Sequence, residues 1–197
     1  MKKKIVFVLT VNSLPVPASK GGAIETLLSI LLFENEKKGI FSLIFIAPDS
    51  TDEVRNYRHS RVYLLKKNRI NYEYDYRACR IVKEENPDFV VMEGNALRLD
   101  GCFRDVISSR RLGLHIHHDF ERKGFYCDSF GVSIVPSEFL YLKWNSNDEL
   151  NKNNTYILRH AIDLKRFQKR ITPDDRVKLR EKLGVNEDDY LVFFCVR

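Results

Sequence analysis

The chain has 197 residues, of which 44% are hydrophobic and 30% charged, a composition that excludes both a disordered polyampholyte and a protein built from membrane spans. Its 33 Lys and Arg outnumber 27 Asp and Glu for a net charge of +6. That excess suits an anionic small ligand or an anionic membrane surface, and it does not call for nucleic acid. Four widely spaced cysteines, Cys79, Cys102, Cys127 and Cys195, form no C-x-x-C pair. Reduced thiols in the cytoplasm are therefore expected, rather than a zinc ribbon or a disulfide framework.

Lys2-Lys3-Lys4 followed by Ile5 to Val11 has the outline of a secretory leader, with Val16-Pro17-Ala18 as a cleavage site. The same stretch is a short, β-branched run of strand length. Gly21-Gly22 and an amphipathic helix follow it. Strand, glycine turn and helix make one unit, so a buried first strand is the preferred reading.

Further along, strands are predicted at Ile5–Thr10, Ser42–Ala47, Val62–Leu65, Phe89–Met92, Leu112–His117, Val132–Val135, Thr155–Leu158 and Tyr190–Val196. Helices are predicted at Ala23–Lys38, Tyr74–Glu85, Arg98–Ser109, Glu138–Asn147 and Asp174–Leu183. Ile24, Leu27, Leu28, Leu31 and Leu32 line one face of the first helix. Lys37-Lys38-Gly39 then forms its ending, with cations at the negative end of the dipole before a left-handed glycine. Apolar strands separated by helices imply an α/β, doubly wound, mostly parallel sheet of Rossmann-like kind. Residues 161–175 are polar and basic, and read as a linker after a first domain over 1–160. Residues 176–197 read as the start of an incomplete second domain, although Tyr190–Val196 could instead extend the first sheet.

Chemistry concentrates at predicted strand ends, where open α/β sheets hold ligands. Gly21 and Gly22 let backbone approach a ligand at a helix N-terminus, which favours a diphosphate; a bare strand-to-helix turn is the alternative. The turn lacks the G-K-[ST] of a Walker loop, and also the G-x-G-x-x-G of dinucleotide oxidoreductases. Glu25 reads as a first-turn capping carboxylate. In Leu114-His115-Ile116-His117-His118-Asp119, His115 and His117 share one strand face and His118 takes the other. A zinc site needs a third converging ligand, and the other histidines, His59 and His160, sit far off in sequence, so no metal is assigned. His117 or His118, beside Asp119, can instead exchange a proton or a hydrogen bond with a substrate hydroxyl. His115 reads as a core histidine bonded to backbone carbonyls. Glu93-Gly94-Asn95 suits sugar hydroxyls, or equally a helix start capped by Asn95. Ser137 reads as a cap, and Phe139, Tyr141 and Trp144 as core packing, with an interfacial edge as the alternative. Basic residues at Lys2–Lys4, Lys66-Lys67-Arg69, Arg110-Arg111 and Lys165-Arg166 with Lys169-Arg170 are scattered and read as solvated surface; gathered on one face they would touch an anionic lipid surface.

In order, five segments resemble the N-terminal half of the family-four retaining glycosyltransferases, which have the GT-B fold. They are Gly21-Gly22-Ala23-Ile24-Glu25, Pro87-Asp88-Phe89-Val90-Val91, His115-Ile116-His117-His118-Asp119, Val132-Ser133-Ile134-Val135-Pro136-Ser137-Glu138, and Ile157 to Phe167. Leu179 to Arg197 resembles the start of that family's second domain. The resemblance implies a sugar transfer from a nucleotide-diphosphate sugar to a glycan or lipid-linked acceptor, in surface polysaccharide biosynthesis. It places the donor diphosphate at Gly21 and Gly22, and the reacting sugar at His117 with Asp119 beside it. Glu93, Asn95 and His118 are then acceptor contacts. It implies no metal or other cofactor, and a donor-gripping half that this chain lacks; the chain would then act as one half of a split enzyme or as a binding module. His160-Ala161 stands where the family has Asn-Gly, and Val196 where it has a glycine.

Overall fold

The structure, a computed structural model, describes residues 2–19, 21–67, 71–93, 103, 105–117, 130–145, 154–162, 164, 171–186, 188–190 and 192. Two compact units divide the chain, Met1–Ile162 and Asp163–Arg197.

The first unit is an eight-stranded sheet. Its strands are β1 (Lys4–Val8), β2 (Ser42–Asp49), β3 (Glu53–Asn56), β4 (Ser60–Lys66), β5 (Phe89–Glu93), β6 (Leu112–His115), β7 (Val132–Val135) and β8 (Thr155–Ile157). They lie in the order β3-β4-β2-β1-β5-β6-β7-β8. All neighbours pair in parallel except β3, which runs antiparallel to β4. Alternate residues of the central strands feed two separate cores. Val6, Val8, Ile44, Ile46, Val90 and Met92 pack with Tyr74, Ala78 and Val82 of helix α2 (Asn71–Glu85). Leu43, Phe45, Val62 and Leu64 pack with Leu28 and Leu32 of helix α1 (Ala23–Lys38). Strands covered on both faces need apolar residues at every position, which explains the unbroken runs in the sequence.

Local chemistry sets the ends of α1. Gly39 closes it at φ +60°, its N–H donating to the Asn35 carbonyl at 2.6 Å. The buried Asn35 amide also spans the turn to β2, donating to the Phe41 carbonyl and accepting from the Phe41 N–H. At the other end Gly22 makes no side-chain cap, and Glu25 does not cap the helix as expected. Its carboxylate is buried and accepts the Leu14 N–H at 2.7 Å. Ser29 adds a second stitch, its hydroxyl donating to the Glu25 carbonyl and accepting the Ala18 N–H. Both tie the β1–α1 loop down onto α1.

Several expectations need correction. The strand β3 escaped the sequence reading because Glu-Val-Arg-Asn is polar and lies on a sheet edge with Val54 exposed. Asp105 to Ser108 is not helical; a short 3-10 helix spans Ser109–Arg111 instead. Phe139 on helix α3 (Glu138–Asn145) is exposed, and Leu140 is the buried residue there. At the basic N-terminus Lys3 pairs with Asp88 and Lys4 with Glu85. Among the described residues no helix is long and apolar enough to cross a membrane.

In the second unit, helix α4 (Pro173–Leu183) opens on a reciprocal capping box between Thr172 and Asp175 and closes on left-handed Gly184. None of its residues is buried. Most of the strand expected at Tyr190–Val196 lies outside the described residues, and Tyr190 itself is fully exposed coil.

Candidate functional site

The chain runs from β1 to β2 on one side and reaches β5 on the other, so the strand order reverses between β1 and β5. The crevice beyond the carboxyl ends of the strands at such a reversal is where open α/β sheets bind ligands. Parallel pairing puts the ends of β1, β5, β6 and β8 on this rim. The Gly21-Gly22 turn, Glu93, His115, His117 and His160 all follow or close those strands.

Four of the site residues converge. Register pairs Glu93, the last residue of β5, with His115, the last of β6. His117 lies two residues on, and its ring meets that of His115 with centroids 4.1 Å apart. The Glu93 side chain has no solvent exposure. Its Oε2 lies 2.5 Å from His117 Nε2 and 3.1 Å from His115 Nδ1. Burial pushes the Glu93 carboxyl up, but hydrogen bonds from His115 and His117 outweigh it and hold the group below its ordinary value. An ionised carboxylate can only accept, so both facing nitrogens donate. Glu93 therefore accepts a hydrogen bond from each of the two rings.

That donation leaves one nitrogen on each ring. His115 Nε2 is buried with no hydrogen-bond partner among the described residues. His117 Nδ1 lies 3.1 Å from Nε2 of His160, an exposed residue on the segment after β8. Burial, followed by the neighbouring His117 and His115, holds His160 below the ordinary histidine pKa. His115 is thus not bonded to backbone carbonyls as the sequence suggested; its partner is Glu93. His160 was set aside because it lies far from His115 and His117 in sequence. Only the pairing of β7 with β8 delivers it to the rim. His118, Asp119, Asn95 and Lys20 lie outside the described residues.

The glycine turn serves the protein as well as any ligand. Gly21 and Gly22 have φ of +83° and +100°. A Cβ on Gly22 would sit 2.0 Å from Glu25 Oε2, whereas one on Gly21 would meet nothing within 4 Å among the described residues. So Gly22 makes room for the Glu25 carboxylate, and Gly21 presents open backbone.

A groove of about 500 Å³ opens beside this cluster. Ile5, Phe7, Phe89, Val91 and Ile134 of the sheet and Leu27 and Leu31 of α1 line it, with Glu93, His115 and His160 among the residues at its wall. It is an apolar channel with polar groups at few positions, the usual build of a small-molecule site.

No protein-family model matches the sequence, and no curated protein does. Among solved structures, the chain is similar to UDP-N-acetylglucosamine 2-epimerase from Rickettsia bellii, at 12% identity and a TM-score of 0.57, over 94% of this chain and 52% of that one. It is similar to Anabaena HepE, solved in complex with UDP and glucose, at 15% identity and 0.56, over 93% and 50%. It is also similar to a UDP-forming α,α-trehalose-phosphate synthase from Burkholderia vietnamiensis, at 10% identity and 0.51, over 93% and 55%. The chain thus spans about half the length of these proteins, and at such identities what it shares with them is the fold, a Rossmann-like α/β sheet of the GT-B type.

Proposed function

We propose that this chain is the acceptor-side half of a retaining glycosyltransferase of the family-four kind. It would help move a sugar from a nucleoside-diphosphate donor to a hydroxyl of a glycan or lipid-linked glycan, in the assembly of a surface polysaccharide. The carrying observation is the imidazole of His117, oriented by a buried carboxylate at the switch-point rim and flanked by an apolar groove. Such a groove suits the hydrocarbon of a lipid-linked acceptor, and the rim suits its sugar.

In this reading His117 hydrogen-bonds the transferred sugar through Nδ1, once the exposed His160 ring swings aside. Glu93 fixes the tautomer and the ring plane, which makes it a positioning residue. The open backbone at Gly21 and the amino end of α1 face the donor diphosphate. Helix dipoles and basic side chains stabilise that leaving group without a metal on it. Asp119 remains proposed beside the reacting sugar, and Asn95 and His118 as acceptor contacts. A second Rossmann-like domain grips the nucleotide and forms the other wall of the cleft. Membrane contact would be peripheral, on the cytoplasmic face.

The test is release of nucleoside diphosphate from a panel of nucleotide sugars with glycan acceptors, by the chain alone and with a donor-gripping half supplied. Turnover in either case, falling about 10²–10⁴-fold in His117→Ala, is expected. Turnover that ignores this substitution overturns the role of His117. Acceptor binding with no turnover under either condition replaces the enzyme with a non-catalytic binding module.

A further inference from the structure

His115, His117 and His160 each place one ring nitrogen within 4.8 Å of the others. Packing three imidazoles together serves no purpose for a core, since each carries a polar nitrogen that needs a partner. Glu93 supplies that partner once per ring for His115 and His117, and by doing so pins their protons on Nδ1 and Nε2 respectively. What remains is a lone pair on His115 Nε2, which is buried and has no partner among the described residues, and another on His117 Nδ1. His160 Nε2 stands 3.1 Å from the latter. Two nitrogens bound to one tetrahedral zinc ion at 2.0–2.1 Å lie about 3.3–3.4 Å apart. The observed pair is already close to that spacing, and the exposed His160 ring is free to adjust.

We propose that His115, His117 and His160 bind a divalent transition-metal ion of the zinc class, with Glu93 as the carboxylate that orients two of the three ligands. Three imidazoles suit zinc, cobalt, nickel or copper, and do not suit magnesium or calcium, which take oxygen ligands. A carboxylate hydrogen-bonded to the far nitrogen of a ligating histidine is the usual support for such a site. The buried negative charge of Glu93 is also offset by the cation. Three protein ligands leave a fourth position for water or a hydroxyl. Ion and sugar compete for the one lone pair on His117 Nδ1, so the metal-loaded ring and the sugar-contacting ring are alternative states. The site stands whether or not the chain transfers sugar, because its test reads the metal and not turnover.

The experiment uses the full chain without a histidine tag, titrated with cobalt(II) and zinc(II) chloride and read by visible absorption and metal analysis. One equivalent of cobalt with an intense tetrahedral d–d band, displaced by zinc, is expected. His160→Ala, an exposed change that leaves both cores untouched, should weaken binding by at least about 10-fold, and Glu93→Gln by about 10–100-fold. His59→Ala, at the opposite end of the sheet, should bind as the parent does. If no tetrahedral band forms, or if binding in His160→Ala equals that of the parent, the site is overturned. Circular dichroism on each variant separates lost metal from lost fold.

Discussion

Replacing Gly22 with alanine forces a side chain into a backbone conformation at φ +100° and ψ 128° that is nearly reserved for glycine. That strain costs about 1–3 kcal/mol. The new Cβ would also lie 2.0 Å from Glu25 Oε2. The carboxylate is the end of a flexible side chain, so it moves, and it forfeits its hydrogen bond from the Leu14 N–H. A hydrogen bond to a charged group contributes about 1.5–3 kcal/mol. Gly22→Ala should therefore destabilise by about 2.5–6 kcal/mol. Gly21→Ala, with φ +83° but no described residue in the way of its side chain, should cost the strain alone, about 1–3 kcal/mol. The sharper check is a double-mutant cycle followed by urea unfolding. Glu25→Ala in the parent should cost about 1.5–3 kcal/mol, and on the Gly22→Ala background close to nothing, because the same bond is already gone. Equal costs on both backgrounds would refute the link between this glycine and that carboxylate. The turn would then have to be explained by a ligand alone.

Gly131 and Gly113 separate rigid from yielding neighbours. A Cβ on Gly131 meets the Ser109 carbonyl at 2.6 Å and the Arg110 Cα at 2.7 Å, both backbone, so Gly131→Ala should cost about 3 kcal/mol in chemical denaturation. On Gly113 it meets the Phe89 ring at 2.8 Å, which can tilt toward the groove, so Gly113→Ala should cost about 1 kcal/mol. Glu85 should make stability depend on acid. Burial raises its carboxyl, but the Tyr63 hydroxyl at 2.6 Å, Lys4, and Arg61 at 2.6 Å more than compensate, and its pKa ends below the ordinary value. A depressed carboxyl stabilises the fold above its unfolded pKa of about 4.3 and loses that contribution as pH falls through the folded value. Urea midpoints of the parent and Glu85→Gln should therefore differ by about 1–2 kcal/mol near pH 7 and converge in acid; a gap that stays constant would exclude the linkage.

The sequence by itself determined the alternation of β and α, because a strand covered on both faces must be apolar throughout and an amphipathic helix must repeat its apolar residues at helical spacing. Helix α1 was legible to the residue for that reason, aided by Lys37-Lys38-Gly39 at its end. Where burial is partial, the signal fades. Strand β3 is polar on an edge, and Phe139 is apolar yet exposed. Candidate residues at strand ends could also be read, since the rim follows from chain direction. What only the tertiary structure decided is which of them meet. Glu93 and His115 are 22 residues apart and His117 and His160 are 43 apart. They come together through the order β5-β6-β7-β8 and a register that sets Glu93 against His115. Strand order is a property of how whole layers pack, and no local pattern around His160 encodes it.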